Sequence, residues 1–370
     1  MHKPLLYFSI LFALIFMCGV AVAKKSHKEL VLAVSNATSG PASQLGTRLN
    51  QGSLVYFNKV NKQQLLPGYE VKLHRLDDSY EPFNTLQNTQ QFVANKDVFA
   101  LFNYVGTPTT HAIFPMLKRL KLPFLTPFTG AEFLRFPPSS NIFNLRASYF
   151  QEAKVQIEYL VQEKKISKIG LLIQADQFGY SVEQGYLDAL NSYGLTPVVT
   201  TRYRRNTLDI ETALQILLEQ QVEAIAFVGT YQPFATLINK ANKKGFRPFF
   251  TTVSFISSKD LFNRIKEPAN VLVTEVFPDP MVCDFVYCQE FRKDMLAAGF
   301  SSTDRVQLEG YLNAYLFAKV AAKCIDNMTT DCYLKKIKKF NNNENDFPIA
   351  FSDKDHQGSN SVYLNFYQAR

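Results

Sequence analysis

Three hydroxyls, Thr107, Thr109 and Thr110, crowd into the five residues GTPTT, between the apolar run VFALF and a segment with helical spacing. Hydroxyls and first-turn amides at the start of a helix are equipment for holding an anion, because those N–H groups have no partner within the helix and the helix dipole favours negative charge there. A second hydroxyl-rich stretch, TPFTG, follows the next apolar run, LPFL. In an open α/β sheet, ligands collect beyond the carboxyl ends of the strands. Two such loops after neighbouring strands therefore describe a shared anion-binding ledge. The simpler role for Thr109 or Thr110 is to cap its own helix, worth about 1 kcal/mol.

Bond-breaking chemistry has no comparable equipment. The chain has no G-x-S-x-G, no G-x4-G-K-[ST], no G-x-G-x-x-G and no H-E-x-x-H. His27, His74, His111 and His356 stand singly, without the partner a catalytic histidine needs. We expect no enzyme activity, no cofactor and no metal.

The elements that must position the two loops follow from the rhythm of the chain. LVLAV, YEVKLHRLD, VFALF and LPFLTP alternate with amphipathic stretches, the pattern of a parallel sheet covered by helices. After NIFNLRAS the rhythm restarts with KIGLLIQ, TPVVTTRY, AIAFVG, PFFTTV and NVLVTEVFP, each separated by a helical segment. At 370 residues and 46% hydrophobic, the chain is long and apolar enough for two such lobes. Two helical segments then precede the polar linker NNNEND and two final strands, FPIAFS and SVYLNFYQ.

The first 23 residues read as a signal peptide: a basic MHK, a long apolar stretch, and AVA at a small-x-small cleavage site. Removing them lowers the net charge from +8 to +7, since Lys3 goes with them, and also removes Cys18. Export makes nucleic acid an unsuitable partner for the basic clusters RYRR and KKIKK. Cys283, Cys288, Cys324 and Cys332 remain, an even count that argues for two disulfides in an exported chain. Four cysteines permit three pairings; the local pairs 283 with 288 and 324 with 332 are expected. The spacings bring no histidine near and make a poor zinc pattern.

The five motifs TSGPASQLG, GTPTT, LPFLTPFTGAEFLR, FNLRAS and FVGTY, in this order and spacing, resemble the type I periplasmic solute-binding proteins of ABC transporters, in the leucine/isoleucine/valine-binding branch. The resemblance covers nearly all of the chain after the signal segment. It implies an α/β fold of two Rossmann-like, doubly wound lobes joined by three crossing segments, near 145–147, 273–277 and within 341–347. The first lobe would hold 28–145 plus 277–343, and the second 148–274 plus 346–370. It implies a monomer in the periplasm that captures a small molecule in the interlobe cleft and hands it to an inner-membrane ABC permease. A ligand-sensing ectodomain of the same fold is the alternative.

Matched residue by residue, the resemblance implies that Thr110 supplies the hydroxyl that bonds a ligand carboxylate, among the hydroxyls and first-turn amides of Thr107, Thr109 and Thr110, with Phe128, Thr129 and Gly130 as the second binding loop. Leu45 falls where the family often places an aromatic wall. Phe178 and Tyr231 match aromatics that the second lobe contributes on closure. Tyr149 and Phe255 fall near positions where amino-acid binders carry acidic partners for an ammonium group, and no carboxylate stands at either; Glu152 and Asp176 are the nearest substitutes. A carboxylate-bearing solute is therefore expected.

Overall fold

Buried β-branched and aromatic runs make the strands, and the computed structural model describes residues 27–342 and 347–367. The first lobe opens as β1 (Lys28–Asn36), α1 (Ser43–Lys62), β2 (Tyr69–Asp77), α2 (Pro82–Ala94), β3 (Val98–Phe102), α3 (Thr107–Leu117), β4 (Phe124–Leu125) and β5 (Ile142–Phe143). Its sheet has the order β2-β1-β3-β4-β5, parallel throughout. Every residue of β3, the run VFALF, is buried, as a strand covered on both faces requires.

The second lobe follows as α4 (Tyr149–Glu158), β6 (Ile169–Gln174), α5 (Gln177–Asn191), β7 (Thr200–Tyr203), α6 (Glu211–Glu219), β8 (Ala224–Val228), α7 (Tyr231–Lys243), β9 (Phe249–Thr252), α8 (Ser258–Phe262) and β10 (Val271–Glu275). The remainder comprises α9 (Val286–Ala297), α10 (Arg305–Ala322), α11 (Thr330–Ile337), β11 (Asn341–Asn342), β12 (Ile349–Ala350) and β13 (Tyr363–Phe366). The second sheet runs β13-β10-β9-β8-β6-β7, with β13 antiparallel at its edge. α10 returns to the first lobe, where Tyr311 and Phe317 pack edge-on against Tyr56 and Phe57 of α1.

The C-terminal assignment needs a correction. FPIAFS does not join the second lobe: β12 pairs with β11, and Phe347, Ile349 and Phe351 pack into the first-lobe core beside Phe143 and Phe277. Three large apolar side chains need a core to bury them, and the nearest is that of the first lobe. The third crossing therefore comes later, where Gly358 N donates to Asn144 O and Gln357 Nε2 donates to Gln151. Only β13 from this segment reaches the second sheet.

Disulfides join Cys283 to Cys288 and Cys324 to Cys332, the second tying the end of α10 to α11. The signal segment, with Cys18, lies outside the described residues, as do residues 343–346 of the polar linker. Among the described residues no helix is long and apolar enough to cross a membrane.

Candidate functional site

Two left-handed residues turn the chain out of the first sheet. Asn103, just after β3, has φ 52, and Thr126, just after β4, has φ 51. Asparagine tolerates that region; a β-branched threonine there is strained and persists only if its surroundings hold it. Thr126 Oγ1 donates to Asn103 Oδ1 at 3.0 Å, and the Asn103 amide is held in turn by Ser53 and Asn313 at 2.7 and 2.8 Å. The two loops then run side by side: Phe128 N donates to Tyr104 O and Gly106 N to Phe128 O.

The hydroxyls divide into two kinds. Thr109 Oγ1 donates to the carbonyls of Val105 and Gly106, and Thr110 Oγ1 to that of Gly106 at 2.6 Å. Neither caps α3, whose N-cap is Gly106. A hydroxyl has one proton to give, so the anion donors left on this ledge are the amides of Thr107 and Thr109 and one hydroxyl of the Thr107–Thr129 pair, the other being spent on its neighbour. Those two hydroxyls lie 2.7 Å apart, and the Tyr149 hydroxyl is 3.5 Å from Thr107. Gly130 is required by closeness: a Cβ there would sit 2.5 Å from the Tyr149 ring.

Aromatic rings fill the space between the lobes. Phe255 contacts Tyr80, Phe128 and Phe178 at centroid distances of 5.6, 5.7 and 4.8 Å, and Tyr149 contacts Phe178 at 5.4 Å. Leu45 belongs to the same buried cluster. Tyr231 does not. Its ring packs beside the outer core of the second lobe, under Arg264, at the other side of that sheet.

Charge enters the site through Arg146 in the first crossing. Its guanidinium lies 4.1 Å over the Phe128 ring, bonds Ser254 Oγ, and has Glu309 3.7 Å from Nε. Nε and Nη1 make no hydrogen bond, although the side chain is 1% exposed. Burial pushes Glu309 up to about 7, with Arg146 opposing. Arg135 braces the second loop, donating to the carbonyls of Thr129, Ala131 and Arg146.

Neither substitute for the missing ammonium partner is free. Glu152 accepts from Ser254 N, Ser254 Oγ and Thr274 Oγ1 at 2.7 to 2.8 Å, and Ser254 Oγ links it to Arg146. Asp176 caps α5 through Phe178 N and Gly179 N, accepts from Gln174, and pairs with Arg205. Burial raises the pKa of both.

The rim is latched on two sides. Arg205 of the second lobe reaches the Tyr80 carbonyl and Glu81 Oε2 of the first, and Asn206 adds a bond to Glu81 at 2.7 Å. Arg48 of the first lobe meets Ser257 at 2.7 Å and Asp260 at 2.8 Å on the second. Sequence reasoning missed Tyr80, Arg48, Arg205 and Arg146. Only Arg146 left a local signal, as the one charge in the apolar crossing IFNLRAS.

A family model described as Periplasmic binding protein matches residues 29–368. Among solved structures, a possible leucine/isoleucine/valine-binding protein from Rhodopirellula baltica is 29% identical, covering 93% of this chain and 95% of its own, with a TM-score of 0.87. A branched chain amino acid ABC transporter protein from Thermus thermophilus, with bound valine, shares the fold at 19% identity and TM-score 0.81, over 92% of this chain and 93% of its own. The Leu/Ile/Val-binding protein BraC3 of Rhizobium johnstonii is 21% identical over 225 residues. The match spans 60% of this chain and 60% of that relative's length. The two sheets, parallel but for β13, agree with these likenesses, and the chain is a member of the periplasmic binding protein family.

Proposed function

We propose that this protein is the solute receptor of an ABC importer, binding a small carboxylate-bearing molecule between its lobes and releasing it unchanged to an inner-membrane permease. The observation that carries the reading is the meeting of Thr107, Thr129 and Tyr149 at the N-terminus of α3, within one cluster of interlobe rings. Amides, hydroxyls and a helix dipole there favour an anion. The Arg146 guanidinium, stacked on Phe128 with Nη1 making no hydrogen bond and Glu309 beside Nε, adds positive charge nearby.

An α-ammonium group has no such seat. A buried ammonium without a carboxylate is strongly penalised, and Glu152 and Asp176 are both engaged by the protein itself. The solute we propose is therefore an acid lacking the amine, although relatives are named for leucine, isoleucine and valine. A micromolar complex needs about −8 kcal/mol. For nine heavy atoms that is about −0.9 kcal/mol each, beneath the ceiling of about −1.5 kcal/mol for small ligands.

Delivery in the periplasm as a monomer, after removal of residues 1–23, belongs to the same proposal. Native mass spectrometry of the protein, followed by release of whatever co-purifies, tests it. A small acid without an amine is expected; a free amino acid would overturn the ligand class.

A further inference from the structure

The ring of Phe255 belongs to the second lobe by sequence and to the cleft by position. It stands on the loop after β9, yet two of its three ring neighbours, Tyr80 and Phe128, are first-lobe residues, and Phe178 closes the box from its own side. No part of the ring is exposed. The box adjoins the anion seat, because Phe178 also touches Tyr149, whose hydroxyl reaches Thr107. A six-membered ring is thus held between the lobes, next to donors that suit a carboxylate.

The loop that carries Phe255 is pinned on both sides of it. Ser254 N and Oγ donate to Glu152 at 2.7 and 2.8 Å, and Ser257 Oγ accepts from Arg48 at 2.7 Å. While the lobes are closed and Arg48 holds Ser257, the backbone cannot retreat without breaking those bonds, so in the closed form the ring leaves the box by rotating about its own side-chain torsions. We propose that Phe255 is a built-in occupant of the ligand's apolar subsite, displaced by a solute that brings its own aromatic ring joined to a carboxylate. The ligand class is then the arylalkanoic acids. This rests on the carboxylate seat proposed above and adds the ring.

The sign of one mutation separates an occupant from a wall. A wall contributes contacts to the ligand, so trimming it weakens binding. An occupant competes with the ligand and lowers its apparent affinity by the fraction of time the seat is taken. Trimming it leaves a dry, ring-sized hole of the kind that binds small arenes.

The test is calorimetric titration of the full-length mature protein, Phe255→Ala and Phe255→Leu with phenylacetate and with toluene. Phenylacetate is expected to bind Phe255→Ala about tenfold tighter than the parent, as release from a mostly occupied seat requires, with Phe255→Leu between them. Unchanged or weaker phenylacetate binding in the variants overturns the proposal, as does failure of both ring compounds to bind either variant. Should Phe255→Ala not fold, the Phe255→Leu comparison decides alone. The two readings fail separately. If toluene gains as much as phenylacetate and binds as tightly, the occupant stands and the carboxylate seat falls; if phenylacetate binds the parent best, the seat stands and the occupant falls.

Discussion

Arg205 of the second lobe lies 2.9 Å from Glu81 of the first, with its Nε 3.1 Å from Asp176 on its own side. On the other flank Arg48 spans the cleft in the opposite direction, to Asp260 at 2.8 Å. The rings between the lobes give closure its apolar area, and the two arginines fix its register.

Each latch is partly exposed, so its contribution is modest, about 1 kcal/mol after solvent screening. Arg48→Ala and Arg205→Ala together should move the balance toward the open form by more than tenfold. Small-angle scattering should show a larger radius of gyration in the double variant. An unchanged radius would mean that the ring cluster alone holds the lobes.

The threonines are predicted to differ. Thr129→Val and Thr107→Val each remove a hydroxyl that faces the other, at 2.7 Å, and should weaken binding of a small carboxylate by roughly 1.5 to 3 kcal/mol. Thr110→Val removes a hydroxyl already given to the Gly106 carbonyl and should lower stability by about 1 kcal/mol with little change in affinity. A larger affinity loss in Thr110→Val than in Thr129→Val would reverse these roles.

Buried acids set the pH dependence. Burial pushes Glu309 and Glu275 up to about 7, against Arg146 and Arg305 respectively, and Asp78 up to about 6. A folded acid with a raised pKa binds more protons than the unfolded chain, so its share of stability is complete below the unfolded value and is lost as pH rises through the folded one. For the two glutamates that window runs from 4.5 to about 7. His356, lowered from 6.5 by burial, works in the opposite sense, costing stability as pH falls. Urea unfolding should show falling stability from about pH 5 to 7.5, with the slope reduced in Glu309→Gln by up to about 1.4 kcal/mol per pH unit. Equal slopes would remove Glu309 from this account.

The cysteines give a direct mass test. With both disulfides formed and Cys18 removed, alkylation without reduction should add nothing to the mature protein. Closing loops this short is worth about 2 to 3 kcal/mol each, and reduction should lower the melting temperature accordingly. Uptake of alkyl groups by the unreduced, folded protein would contradict the pairing.

Strands such as VFALF and AIAFVG were legible because their burial shows as unbroken apolar runs. The hydroxyl-rich loops were legible because strand ends and turn residues are local signals. The latches were not: Arg48 and Asp260 are 212 residues apart, and nothing near either marks the other. Tyr231 carried the right strand-end position, but the first turn of α7 directs its ring toward Arg264 and the outer core. FPIAFS read as a strand, yet period and composition say nothing about which of two apolar cores will take it. Phe255 was identified by position alone; that its ring touches both lobes is a tertiary fact.

The central claim is that the cleft holds a carboxylate and has no seat for an ammonium group. A thermal-shift screen pairing each amino acid with its deaminated acid tests it most directly. Ligand at one hundred times its dissociation constant adds about 2.7 kcal/mol, a rise of about 5 °C at roughly 2 °C per kcal/mol for a chain this large. The account predicts that rise for one or more of the deaminated acids and little or none for the amino acid of the same pair. A rise with the amino acids and none with their deaminated partners would contradict it, and would give Glu152 or Asp176 the ammonium.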